Sequence, residues 1–377
     1  MSRPATTLLG TMLVSVACLA ASCGAGTAHA SHSSPSSASG SSGASGALGT
    51  PSASGPSASG PSAVAYVCNF SYVDQPGTTI AAVDTLDGKV EAPVQAGRLP
   101  SAMALGEHSA RLFVTDEGSD LLSVLSLPSG RVLDRVPTGV EPDAVAISPN
   151  GKYAVVANYN SNTLTPVNLS TMRALRPIGV GREPDAVAIG GQGDGIALVA
   201  DFGAGEVTPV DLATMQALPP IPVGIEPDAV AVGGPANSTA LVANLGSDTV
   251  SPIDISSLRP LPQVFVDTDP TGISVAGAGT PSGSGGGHPG SSGLQGGGQT
   301  AWVSGGDMLV PLSMSSLTAG APISVGVLAE ALAVTPSGRT AWVAGQEGQV
   351  AKVDLASGRV GPVLAVGGRP AAIILAP

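Results

Sequence analysis

The sequence predicts an all-β protein, a seven-bladed β-propeller of four-stranded antiparallel blades, and three observations carry that expectation. First, Gly139-Val-Glu-Pro-Asp-Ala-Val-Ala-Ile147 returns as Gly181-Arg-Glu-Pro-Asp-Ala-Val-Ala-Ile189 and Gly224-Ile-Glu-Pro-Asp-Ala-Val-Ala-Val232. Weaker copies stand at Gly97–Pro100, Asp267–Pro270, Gly326–Ala329 and Gly367–Pro370, so the Pro position recurs at intervals of 42, 42, 43, 43, 59 and 41 residues. A fixed period near 40 marks a repeat architecture. Second, each period holds four stretches of strand length and alternation. Third, the two ends are complementary fragments of one blade. The chain enters at Val64 with a second strand and finishes on Pro370-Ala-Ala-Ile-Ile-Leu-Ala376, a lone first strand. Pairing them closes the ring and leaves no open edge.

Within a period the first strand follows the Pro position, as in Ala144-Val-Ala-Ile147, and its small residues suit the crowded centre of a propeller. The second ends in Asn, Asp or Gly: Asn69, Asp116, Asn158, Asp201, Asn244, Gly305 and Gly345. The third ends at Asp84, Ser126, Asn168, Asp211, Asp254, Ser313 and Asp354. The fourth runs toward the next Gly-x-x-Pro, as in Gly130–Gly139. Pro166, Pro209, Pro252 and Pro311 conflict with this pattern, because they fall inside third strands and cannot donate to a ladder. Either a regular bulge or a gap in pairing must receive them. A Gly/Ser/Pro insert at 277–298 interrupts blade 6 and reads as a floppy loop on the face opposite the Gly-x-x-Pro turns.

The first 63 residues read as address and tether. Arg3 precedes an apolar run from Leu8 to Ala21, too short to span a membrane, so residues 1–30 are expected to be a signal peptide. Leu19-Ala-Ala-Ser-Cys23 resembles a bacterial lipobox that would lipidate Cys23, with Ala20 standing where Leu is more usual. Ala28-His-Ala30 offers an ordinary A-x-A cleavage site that would release a soluble protein instead. Residues 31–63 are almost purely Ser, Gly, Ala and Pro and are expected to be a disordered linker, with a reach of about 30 Å. Either cleavage exports the domain at 64–377, anchored at the outer face of the cell membrane or secreted. Of the three cysteines only Cys68 then remains, so the domain has no internal disulfide and no Cys-based zinc site. Cys68 lies mid-strand and is expected to be a buried small hydrophobe.

The net charge of −12 excludes the basic footprint of a nucleic-acid binder and of a protein held on anionic lipid by a cationic patch. The membrane is expected to be reached only through the lipid anchor, and the propeller to be a monomer.

The repeating strand-Val-x-Asn, x-x-Thr-Val-x-x-Ile-Asp, Gly-(Lys/Arg)-Val and Val-Gly-x-x-Pro-x-x-Ala resembles the YVTN repeats of bacterial and archaeal surface propellers, the YncE-like family. The resemblance covers nearly all of residues 64–377. Trp302 and Trp342 in second strands, and the missing Pro at Gly326–Ala329, depart from it. It implies a surface-exposed propeller and brings no fixed catalytic motif.

Residues flanking the Pro position begin the innermost strands and should ring the mouth of the central channel. Those before it include Glu141, Glu183, Glu226 and Asp269; those after it include Asp143, Asp185, Asp228 and Glu330. The eight carboxylates could bind Ca²⁺ or another divalent cation, which wants several oxygen ligands, or grip a basic peptide. Duplication alone also accounts for them, since Asp beside Pro is ordinary turn chemistry. No cofactor is otherwise implied. Catalytic parts are scarce: His108 and His288 are the domain's only histidines, and no nucleophile triad or phosphate-cradling loop is visible. The expectation is a non-catalytic module binding a protein, peptide or envelope component. The alternative is a metal-dependent, lactonase-like hydrolase on the same architecture, as fold alone does not decide function.

Overall fold

A computed structural model describes residues 64–70, 77–106, 110–191, 195–266, 268–276 and 299–376. The signal peptide with Cys23, the linker, the insert at 277–298, Asp267, His108 and His288 lie outside the described residues. Seven antiparallel sheets follow one another along the chain. Blade 1 is ordered 94–95, 79–84, 64–69, 370–376, so the C-terminal strand is its innermost member and pairs Val64 with Ala376 through Cys68 with Ala372. Blade 2 runs from Pro100 to Pro137, blade 3 from Pro142 to Gly179, blade 4 from Pro184 to Pro222 and blade 5 from Pro227 to Phe265. Blade 6 runs from Pro270 to Ser324 and blade 7 from Ala329 to Ala365. The innermost strands touch in cyclic order and the seventh returns to the first.

Seven hydrophobic cores hold the ring, one between each pair of neighbouring blades. Strand alternation sends successive side chains to opposite faces of a blade. Thus Tyr66 and Cys68 enter the core shared with blade 2, while Ala65 and Val67 enter the core shared with blade 7. Cys68 is fully buried as expected, and burial pushes its thiol well above the ordinary range. Trp302 and Trp342 are likewise buried, in the cores flanking blade 7.

The third-strand prolines face a gap in pairing. In blade 3 the outer strand is two fragments, Arg173–Ala174 and Ile178–Gly179, pairing on either side of Pro166. Between them Leu175 N–H donates to the Pro166 carbonyl at 2.7 Å. The cause lies in the outer strand itself, where Pro93, Pro177, Pro220, Pro262, Pro322 and Pro362 occupy the middle in six blades. Blade 2 has Asp134 and Arg135 there and keeps an unbroken strand, Arg131–Pro137. Its bulge at Leu133 and exposed charges then do what proline does elsewhere, blunting an edge against unwanted pairing.

A polar latch fixes the Gly-x-x-Pro turns that open blades 2 to 5. Asn158 accepts the Gly139 N–H at 2.9 Å while its amide donates to Thr163 and Thr165. Asn244 repeats this with Gly224, Thr249 and Ser251. Asp116 and Asp201 occupy the same place in blades 2 and 4, taking hydroxyl donors from Ser123 and Thr208. Burial raises Asp116 to about 6 and Asp201 to about 7. The glycine is required for close approach rather than for a special φ: a Cβ at Gly139 would lie 2.7 Å from the Asn158 carboxamide carbon.

Candidate functional site at the channel mouth

Latch and turn together deliver carboxyls to one end of the channel. Leu99, Glu141, Glu183, Glu226 and Asp269 adopt φ between 43° and 54° although each precedes a proline, a position normally extended. The strain of that left-handed backbone is offset by caps from the preceding blade. Asp120, Asn162 and Asp248 accept the N–H of Glu141, Glu183 and Asp269 at 2.9, 2.8 and 2.9 Å. Their carbonyls are used as well, since Tyr159, Phe202 and Leu245 donate to Glu141, Glu183 and Glu226 at 2.8, 2.9 and 2.9 Å.

The next position points Asp143, Asp185 and Asp228 together. All three are half-buried. Asp185 lies within hydrogen-bonding reach of both neighbours, Asp143 and Asp228. Burial, followed by the charges of Asp143 and Asp228, pushes Asp185 well above the carboxylate range. Burial and the charges of Asp143 and Glu330 take Asp228 to about 7. Asp143 is raised by burial despite its bond to Asp185. Like charges this close cannot all ionise, so they share protons.

Of the eight acids expected from the sequence, these three form a contiguous chain, and the charges of Glu141 and Glu226 act on its two ends. The field of Glu183 reaches Tyr159. Asp269 is exposed at the rim. Glu330 acts on Asp228 by its charge and is itself held in an ion pair: Arg369 of blade 1 grips it through two nitrogens and Gln346 donates to it at 2.9 Å. Elsewhere in the ring hydroxyls cross to the next blade, with Ser101 donating to the Pro142 carbonyl at 2.9 Å and Thr271 to that of Ala329 at 3.0 Å.

Three mouth residues escaped the sequence reading. Glu117 is raised to about 7 by burial and by Asp143 and Glu141. Tyr159 is raised to about 12 by burial and then by Glu183, Asp185, Asp143 and Glu141. Phe202 is the equivalent residue one blade on. All three directly follow the Asn or Asp that ends a second strand, and that fixed offset was the available signal. Among the described residues no group of three or more His, Cys, Asp or Glu is arranged to hold a metal ion.

No protein-family profile matches the sequence, and no curated protein matches it. Solved structures do resemble the fold. A functionally unknown protein from Desulfotomaculum acetoxidans superposes with a TM-score of 0.68 at 15% identity, covering 83% of this chain and 98% of its own. A candidate 6-phosphogluconolactonase from Bacteroides fragilis gives 0.65 at 16% identity, covering 86% and 100%. The periplasmic gluconolactonase of Pseudomonas aeruginosa gives 0.61 at 18% identity, covering 84% and 99%. The likeness is one of fold. The chain is a seven-bladed propeller, and gluconolactonase-like propellers are among its structural neighbours.

Proposed function

We propose that the chain is an exported, YVTN-type propeller that acts as a non-catalytic binding module, and that its channel mouth takes a cationic ligand such as a basic peptide. The observation that supports it is the convergence of Asp143, Asp185 and Asp228 beside Glu117, Glu141 and the ring of Tyr159. Such a site gains most from a guest that supplies positive charge, because the guest replaces shared protons and an aromatic face can hold its cation. In this reading the domain reaches the cell envelope through a lipid on Cys23 or is released after Ala30. Mass spectrometry of the mature N-terminus separates those two. Calorimetry of the purified protein with an arginine-rich peptide tests the site. Affinity should rise from pH 5 to pH 8, as carboxyls held near 7 lose their protons. Asp143→Asn, Asp185→Asn and Asp228→Asn together should weaken it roughly tenfold or more. Equal affinity for wild type and triple variant would sink the reading.

The fold likeness to gluconolactonases favours a second reading, a lactonase-like hydrolase that recruits a divalent cation to the same carboxyls. Lactone hydrolysis above the uncatalysed rate, abolished by chelator and by the triple variant, would establish it in place of the first.

A further inference from the structure

Between blades 4 and 5, on the same face as the acids, lies an open groove of about 700 Å³ bordered by Glu183, Phe202, Val223, Ile225, Glu226 and Gln263. It exists because one turn is stripped of side chains. Blades 3 and 5 carry Ser161-Asn162 and Ser247-Asp248 after their second strands. Those serines accept the N–H groups of Val140 and Ile225 at 3.2 Å each, and the Asn and Asp cap the next blade. Blade 4 has Ala204-Gly205 at these positions. The missing side chains leave the turn low and the space beside it open.

The surroundings are unusual for an exposed surface. Ile225 is 62% exposed and Phe265 is 63% exposed. Among large hydrophobics of the described residues only Leu86, at 65%, is more exposed. An exposed apolar side chain lining a groove marks an interaction surface, and Ile225 lines this one together with Glu183 and Glu226.

We propose that this groove docks an extended peptide segment of another protein, one that carries an Arg or Lys next to an apolar side chain. The cationic head sits between Glu183 and Glu226, its aliphatic stem lies over Phe202, and the apolar neighbour covers Ile225. Charge complementarity selects the cation, and long basic side chains are suited to burying their stems while presenting their heads. The net charge of −12 disfavours a second copy of this chain as the occupant. The inference rests on the mouth face being cation-binding, and adds an apolar requirement that the mouth alone does not impose.

Fluorescence anisotropy with two short synthetic peptides, one alternating Arg with Leu and one alternating Arg with Ser, separates the two ideas. The Arg/Leu peptide should bind tighter. Ala204→Trp, which fills the groove, and Ile225→Ser should each weaken it roughly tenfold while leaving the Arg/Ser peptide unaffected. Ile225→Ser alters one exposed side chain and keeps the test valid if Ala204→Trp fails to fold. If both peptides bind alike and respond only to the triple Asp variant, the groove inference falls and the mouth reading stands. If neither binds, both fall. Self-association lost on Ile225→Ser, seen by sedimentation, would make the occupant a second copy and overturn the proposal.

Discussion

The two halves of the channel mouth use one backbone position in opposite ways. In blades 3 to 5 the residue after the Pro position is an aspartate, and neighbouring blades push three like charges together until they share protons. In blades 2 and 6 it is Ser101 or Thr271, which bonds across to the next blade, and in blade 7 it is Glu330, ion-paired with Arg369 of blade 1. One half of the ring stitches blades together, and the other sets them against each other electrostatically. A fold held by seven hydrophobic cores tolerates the second arrangement.

The largest expected break in this comparison is steric. Gly224 lies against Asn244, whose side-chain carbon a Cβ would approach to 2.6 Å, whereas a Cβ at Gly326 meets nothing within 4 Å. Gly224→Ala should therefore cost about 3 kcal/mol through overpacking and a lost latch. Gly326→Ala should cost only about 1 kcal/mol, from its φ of 69°. Chemical denaturation of the two variants checks the ratio.

Next comes the pH dependence. Carboxyls raised above their ordinary range keep protons in the folded chain at pH values where the unfolded chain has lost them. Their contribution is full below about pH 4 and is lost as pH rises through the folded values near 7. The protein should melt higher at pH 5 than at pH 8. Replacing Asp143, Asp185 and Asp228 by Asn should raise the pH 8 melting temperature by roughly 5 °C and change the pH 5 value little. A variant that melts lower at pH 8 would mean that the arc is stabilising after all.

The smallest effect belongs to the stitched half. Thr271→Val keeps the shape and removes the hydroxyl that reaches the Ala329 carbonyl. It should cost about 1 kcal/mol and leave binding at the acidic half untouched, measurable by thermal melting alongside peptide titration.

Much of the fold was legible because each blade repeats the same solution. The period of the Pro positions gave the blade count, and the unmatched strands at Val64 and Pro370 gave the closure. Both are consequences of local pattern. The proline puzzle was half legible. Pro166 and its equivalents signalled either a bulge or a gap, and only the pairing, broken between Ala174 and Ile178, shows that it is a gap. Among site residues, repetition pointed to Asp143, Asp185 and Asp228. It was blind to Glu117, Tyr159 and Phe202, whose offset repeats while their chemistry differs. Repetition also placed Glu330 with the free acids. Its ion pair is with Arg369, in the next blade and 39 residues away, a contact that the pattern of either repeat alone does not reveal.

The terminal strands carry one more consequence. Strand 64–69 begins at Val64, beside Ala376, and ends at Asn69, beside Pro370. Pro370 opens an innermost strand at the acidic end of the channel, so Val64 and Ala376 both lie at the opposite end. Whatever joins the domain through Val64 therefore joins it from behind. The ring thus has one face that carries the carboxyls and an opposite face that carries Val64 and Ala376.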